Sequence, residues 1–174
     1  MGIRENIIKS AYQAFYEHGF HACGVAMLAE RAGVTKRTLY AHFESKEILI
    51  QAVLQYRHEQ FIAMMLKSLE DNLDDIATAY LTFIQNWGQS DDFYGCFFIN
   101  ACAEFSSPMA APNQYAQEHK QEIRNILKEC FIKNNTPNPQ QSADKLFLLG
   151  EGLIVAYQTG QKDINMDDLI IKEK

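Results

Sequence analysis

The chain has 174 residues, 47% of them apolar, which is enough material for a buried core in one domain or in a small domain fused to a larger one. No apolar run approaches the roughly 18 residues that span a bilayer, and the four cysteines form no C-x-x-C pair, which argues against a zinc site or a disulfide framework. The net charge of −6 is uneven: residues 1–50 hold six basic and five acidic side chains, a balance of +1, and residues 51–174 hold ten and seventeen, a balance of −7. The first fifty residues are therefore the part suited to approach a polyanion, in a protein that we expect to be cytoplasmic and to need no metal or cofactor.

Apolar residues recur at helical spacing along the chain, and strand signals are scarce, so the sequence predicts an all-α fold. Ile7, Ala11 and Phe15 mark the first helix, and Gly19 is a natural end for it. A long helix starts at the Ser45 cap and reaches about residue 69. The other predicted helices cover residues 25–32, 36–42, 76–87, 96–105, 116–133 and 141–159, and a short further turn is expected from Asp163.

Residues 24–43, which read GVAMLAERAGVTKRTLYAHF, suit a helix-turn-helix. Ala29 and Gly33 are small and four residues apart, which lets a second helix cross closely. Four apolar side chains are expected to form the small core between the two helices: Leu28, Ala32, Val34 and Leu39. An ordinary helical hairpin has the same spacing, so the spacing alone leaves that alternative open.

The first turn of the second short helix carries two cations. Thr35 is a good N-cap, and Lys36 and Arg37 follow it directly. Cations at a helix N-terminus oppose the macrodipole, at a cost of roughly a few tenths of a kcal/mol each. Local rules are broken most often at functional sites, and an anionic partner at this helix end would reverse the sign of the cost. These residues therefore predict a contact with nucleic acid.

The predicted DNA contacts are of two kinds. Lys36 or Arg37 would donate to guanine O6 and N7, and the Thr38 hydroxyl would bond a base or a phosphate. Phosphate contacts are assigned to three side chains further along the chain: Tyr40, His42 and Lys46. The full predicted set is Thr35, Lys36, Arg37, Thr38, Tyr40, His42 and Lys46. The alternatives are a partly buried core ring for Tyr40 and a plain surface histidine for His42.

Several short pieces stand in a fixed order along this segment: Leu28-Ala29, Ala32-Gly33-Val34-Thr35, Thr38-Leu39-Tyr40, His42-Phe43 and Ser45-Lys46-Glu47. Together with the first helix, these pieces resemble the DNA-binding segment of TetR-type regulators. The resemblance covers the chain to about residue 55. The resemblance implies a three-helix head with a helix-turn-helix over residues 1–47. It also implies a larger helical bundle over residues 48–174 that binds an effector and dimerises.

The resemblance further implies a sequence-specific transcriptional regulator, most often a repressor that a small-molecule effector releases from operator DNA. A homodimer would match two half-sites, and the last two long helices are its expected interface. Apolar stripes on those helices suit a four-helix bundle: Ile123, Ile126, Leu127, Leu146, Leu149, Leu153 and Tyr157. The alternative is that these stripes pack only within one chain.

An effector pocket is predicted among the helices that follow residue 55. Its expected lining is Phe61, Met65, Tyr80, Phe83, Trp87 and Phe97, with Asn100 and Glu104 as polar groups that would orient the ligand. The alternative is a filled core in which Asn100 and Glu104 are hydrogen-bonded locally.

Two other functions are compared with DNA binding: an enzyme and a hydrophobe-binding protein. No carboxylate pair, Ser/Cys-His arrangement or Gly-rich phosphate loop stands out, so an enzyme is not expected. A helical hydrophobe-binding protein with a vestigial head is the alternative, and salt-dependent DNA binding separates it from a regulator.

Overall fold

The computed structural model describes residues 2–70, 75–165 and 169. Within them the chain forms eight α-helices and no strand, as the sequence predicts. The helices are α1 (Ile3–His18), α2 (Val25–Arg31), α3 (Lys36–His42), α4 (Lys46–Glu70), α5 (Ile76–Gly88), α6 (Phe97–Glu104), α7 (Ala111–Lys133) and α8 (Pro139–Gln158). None of the described helices combines the length and apolarity that a membrane crossing needs.

Most helix ends lie within two residues of the predicted positions, and α7 is the exception because it begins at Ala111 rather than at residue 116. Pro112 fits into its first turn, where a backbone N–H is not needed. The Asn113 side-chain amide donates to the carbonyls of Phe105 and Ser107, which secures the start of the helix. The turn of helix expected from Asp163 is absent over residues 163–165, and the remainder of that prediction lies outside the described residues.

The described residues group into two compact units. The first comprises Met1–Gln60 and Phe97–His119, and the second comprises Phe61–Cys96 and Lys120–Lys174. Helices α4 and α7 each contribute residues to both units. The predicted division at residue 47 concerns function and stays a prediction.

The three N-terminal helices share a small core in the first unit. Its buried side chains include Phe15, Leu28, Leu39 and Phe43, with Ala29 and Ala32 where α2 and α3 meet. The Asn6 side chain donates to the Ala32 carbonyl at 2.7 Å, and Arg31 bonds Glu17 at 2.6 Å. Because these bonds tie both ends of α1 to the C-terminal end of α2, the helix-turn-helix is fixed on the first helix.

Helix α6 packs within the same unit through aromatic rings. The Phe97 ring lies 5.3 Å from Tyr12 and 4.9 Å from Phe20, measured between centroids. The Phe98 ring stacks on His119 at 3.8 Å, and the Nδ1 atoms of His119 and His58 lie 3.0 Å apart. Helix α6 is thus held between α1 and the start of α7.

The second unit is built around close packing of α5 on α8. A Cβ added to Gly88 would lie 2.2 Å from the Tyr157 ring, and one added to Gly150 would lie 2.6 Å from the Tyr80 ring. Each helix therefore offers a glycine to a tyrosine of the other, and larger residues would force the helices apart. Two ion pairs join α7 to α8, Lys120 with Glu151 at 2.6 Å and Arg124 with Asp144 at 2.7 Å.

The apolar stripes assigned to a dimer interface need a correction. Most of their members are buried within the chain's own second unit: Ile123, Leu127, Leu146, Leu153 and Tyr157. The alternative of packing within one chain therefore holds for these residues. The apolar side chains that α8 leaves exposed are Leu148, 66% exposed, and Val155, 48% exposed.

Candidate nucleic-acid interface

Helix α3 presents its first turn to solvent because its other side is anchored in the head. Leu39 is fully buried, and Phe43 follows the helix as a second buried anchor. Lys36, Arg37 and Tyr40 fall within about 100° of one another around the helix axis, and Arg37 lies about 160° from the buried Leu39. Both basic residues are exposed. The exposed surface of α3 is therefore positive at its N-terminal end.

The N-cap of α3 forms as predicted. The Thr35 hydroxyl accepts a hydrogen bond from the Thr38 backbone N–H at 3.1 Å, and the two threonine hydroxyls lie 2.9 Å apart. Gly33 precedes the cap with φ of 66°, and the Val34 N–H returns to the Ala29 carbonyl at 2.9 Å. A left-handed backbone favours glycine, so the turn between α2 and α3 depends on Gly33.

The remaining predicted DNA contacts flank this surface. Tyr40 is 48% exposed, so its ring is accessible to a phosphate, and the alternative of a partly buried ring stays open. His42 is exposed, so its side chain is available for a phosphate, and the alternative of a plain surface histidine stays open. Lys46 is half-buried in the first turn of α4, next to Ser45, whose hydroxyl accepts the Ile48 N–H at 3.3 Å. No acidic residue lies in the first turn of α3.

The bonds that hold the head were missed by the sequence analysis. Asn6 and Glu17 look like ordinary polar positions of α1, yet they bond Ala32 and Arg31 respectively. The one local signal was the spacing of polar residues on the side of α1 that faces α2, and it does not identify the partners.

Five of the residues predicted for an effector pocket belong to the second unit: Phe61, Met65, Tyr80, Phe83 and Trp87. The Phe61 ring makes edge contacts with Phe83 at 5.2 Å and with Trp87 at 5.3 Å. Phe93 continues the cluster, 5.0 Å from Trp87. Met65 and Tyr80 are fully buried, while Phe83 and Trp87 are half-buried. The structure thus brings three of the predicted lining rings together.

The other three predicted pocket residues, Phe97, Asn100 and Glu104, belong to the first unit. Phe97 packs on α1, and Asn100 lies on the same helix, α6. The Glu104 carboxylate accepts backbone N–H bonds from Phe20 and His21. Both oxygens of Glu104 thus accept a backbone hydrogen bond, and its role in orienting an effector stays a prediction. The partners of Glu104 are more than eighty residues away in the chain.

A three-helix head with an exposed, basic first turn on its third helix defines a protein of the helix-turn-helix class. Residues 7–53 match the family model described as bacterial regulatory proteins, tetR family. This match identifies residues 7–53 as a helix-turn-helix segment of the TetR type.

Relatives and solved structures agree with this assignment. The chain is 35% identical over 107 residues to the HTH-type transcriptional repressor ComR of Escherichia coli, covering 59% of this chain and 51% of ComR. It is 33% identical over 92 residues to the HTH-type transcriptional activator FasR of Mycolicibacterium smegmatis, covering 49% of this chain and 42% of FasR. A TetR-family regulator structure from Streptomyces coelicolor superposes with a TM-score of 0.85 at 25% identity, over 92% of this chain and 86% of that one. The matches to ComR and FasR span about half or less of the length of those relatives.

Proposed function

We propose that the protein is a sequence-specific DNA-binding transcriptional regulator that reads operator DNA with α3. The observation that carries the proposal is the exposed pair of cations, Lys36 and Arg37, in the first turn of a capped helix that lacks acidic residues there. Such a pair is unfavourable for an isolated helix and favourable beside phosphates and guanine edges. A regulator of this kind would act in the cytoplasm, where its operator lies.

The contacts are assigned by reach and exposure. Arg37 and Lys36 would read base edges in the major groove, which the N-terminal residues of recognition helices enter. Thr35, Thr38, Tyr40, His42 and Lys46 surround that surface and would fix its register through sugar and phosphate contacts.

The proposal is tested by selecting bound duplexes from a random pool. The affinity for the best-bound duplex is then measured as a function of salt concentration. We expect affinity to fall steeply as salt rises, since phosphate contacts release counterions. Arg37→Ala should weaken binding and relax base preference at one position, whereas Lys46→Ala should weaken binding to all sequences and lower the salt slope by about 1. The matched control is Lys67→Ala, at an exposed lysine late in α4. It should change neither the affinity nor the base preference.

Two outcomes of this experiment distinguish a wrong function from a wrong role for Arg37. If the protein shows no preference among duplexes even at low ionic strength, the regulator proposal fails and the alternative of a hydrophobe-binding protein with a vestigial head gains. If Arg37→Ala leaves base preference intact, only the role of Arg37 is wrong.

We also propose a homodimer, because two half-sites require two heads. The exposed face of α8 supports this: Leu148 and Val155 are seven residues apart on one side of the helix, and Gly152 lies between them with open space where a Cβ would stand. A glycine flanked by exposed apolar side chains lets a second helix approach closely.

A small-molecule effector would complete the regulator, and the aromatic cluster of Phe61, Phe83 and Trp87 in the second unit is the proposed site. Trp87 is the single tryptophan of the chain, so quenching of its fluorescence reports binding there directly. We favour repression relieved by the effector, and the two curated relatives named above, a repressor and an activator, show that the direction needs a reporter assay.

A further inference from the structure

The turn that joins α1 to α2 is bound by a side chain from α6. After α1 ends, Gly19 takes φ of 86°, and the next two backbone N–H groups point to one carboxylate. The Phe20 N–H donates to Glu104 Oε1 at 2.8 Å, and the His21 N–H donates to Oε2 at 2.7 Å. His21 Nδ1 lies 2.9 Å from the same Oε2. Consecutive N–H groups beside a left-handed residue form a concave anion site, and here Glu104 fills it.

The fit between the turn and the carboxylate is close. A Cβ added to Gly19 would lie 2.8 Å from Glu104 Oε1, so only glycine leaves room for the carboxylate while also accepting the positive φ. The residue after Glu104 adds apolar contact, since the Phe105 ring lies 5.7 Å from Phe20 and 4.9 Å from His21. The C-terminal end of α6 therefore holds the turn through both polar and apolar contacts.

The charged form of Glu104 is the bound form. Burial works to raise its pKa, but hydrogen bonds from the backbone N–H groups of His21 and Phe20, together with the His21 side chain, outweigh burial and leave the pKa below its ordinary value. Carboxylate-to-backbone bonds of this kind are stronger than bonds between neutral groups.

We propose that Glu104 is a positioning residue for DNA binding: its carboxylate fixes the turn between α1 and α2 and so sets how the helix-turn-helix is held on α1. The inference rests on the proposed function and does not place Glu104 on the DNA. Helix α2 begins only four residues after His21, so the turn determines where α2 starts. Helix α6 begins directly after Cys96, where the segment Phe61–Cys96 of the second unit ends. The helix that carries Glu104 is therefore covalently continuous with that unit.

The test compares Glu104→Gln with the wild type on two duplexes, a selected operator and a random sequence. Glutamine keeps the size of the side chain, but its NH2 group opposes one of the two backbone N–H donors. We expect operator affinity to fall about tenfold, the effect of losing one charge-assisted hydrogen bond. Affinity for the random duplex at low salt should stay within about twofold, because the basic side chains of α3 and α4 are unchanged.

Two further measurements keep a positioning role distinct from a merely structural one. Hydrogen exchange at the Phe20 and His21 amides should speed up in Glu104→Gln, while exchange within α3 stays as in the wild type. Glu118→Gln, an exposed glutamate on α7, is the matched control and should alter neither exchange nor affinity. His21→Ala, which keeps both backbone bonds, should lower operator affinity only about twofold, as expected for the loss of one exposed side-chain contact.

The inference is overturned if Glu104→Gln binds the operator as well as the wild type does. It is also overturned if operator and random duplex lose affinity equally while α3 exchanges faster, which would mean that the head has unfolded. A wild type without sequence preference would instead contradict the proposed function, and the exchange data would still show whether Glu104 holds the turn.

Discussion

Tyr80 illustrates the energetic cost of a buried hydroxyl that has no hydrogen-bond partner among the described residues. Its ring is fully buried against Gly150, and its hydroxyl has no hydrogen-bond partner among the described residues. Burial raises the pKa of this phenol far above its ordinary value, so the group is neutral at any physiological pH. A buried unsatisfied hydroxyl costs about 1–3 kcal/mol. We therefore expect Tyr80→Phe to leave the free energy of unfolding unchanged or to raise it by about 1 kcal/mol, measured by urea denaturation.

Tyr157 is the matched control for this prediction, because it is also buried between the same two helices but shares a hydrogen bond with Gln85. Tyr157→Phe should lower the free energy of unfolding by about 0.5–1.5 kcal/mol. The argument about Tyr80 is wrong if its variant is destabilised as much as that of Tyr157.

Single-residue predictions from sequence succeeded where the cause was local. Thr35 caps α3, and Lys36 and Arg37 are exposed because cap and first turn are set within a few residues. The partners of Glu104, Phe20 and His21, were not foreseen because they come from a turn more than eighty residues away. A polar residue in an apolar helix signals that a partner exists, but the sequence does not say which one.

At the scale of an element, α3 is a seven-residue helix that cannot persist alone. Its stability comes from Leu39 in the core and from the Thr35 cap, while its two cations oppose the macrodipole. We expect Thr35→Ala to lower the free energy of unfolding by about 1 kcal/mol and to weaken operator binding, since the first turn frays. Thermal unfolding and a binding titration measure the two effects.

Thr35→Ser is the control for the cap, because serine keeps the hydroxyl that accepts the Thr38 N–H. It should retain most of the stability that Thr35→Ala loses. An equal loss in both variants would show that the methyl group of Thr35, and not its hydroxyl, is what matters.

The limits of sequence reasoning at this scale are clear in α6 and α7. Periodicity located both helices, but Pro112 was taken to lie before α7 when it belongs to its first turn. Periodicity also marks which face of a helix is apolar without saying what covers it. Phe97 was therefore assigned to the pocket lining, and the contacts of its ring with Tyr12 and Phe20 were not foreseen.

At the scale of the whole molecule, the chain must avoid repelling the DNA that it is proposed to bind. The net charge of −6 is carried by residues 51–174, and residues 1–50 have a balance of +1. Such a distribution favours approach through the head and leaves little general affinity for polyanions elsewhere. Two heads on one duplex would provide the specificity that a single short helix lacks, so the proposed dimer is central to the proposed function.

The dimer is tested by placing a charge on the exposed face of α8. Leu148 is 66% exposed, so Leu148→Glu should leave the free energy of unfolding within about 0.5 kcal/mol of the wild type. The variant should nonetheless become monomeric at micromolar concentration by light scattering, because a buried unpaired carboxylate is costly at an interface. It should also lose operator affinity while it retains weak binding to random duplex. Met109→Glu, which charges an even more exposed apolar residue (79%) outside α8, should remain dimeric. If Leu148→Glu stays a dimer and binds the operator normally, the two chains meet through some other surface.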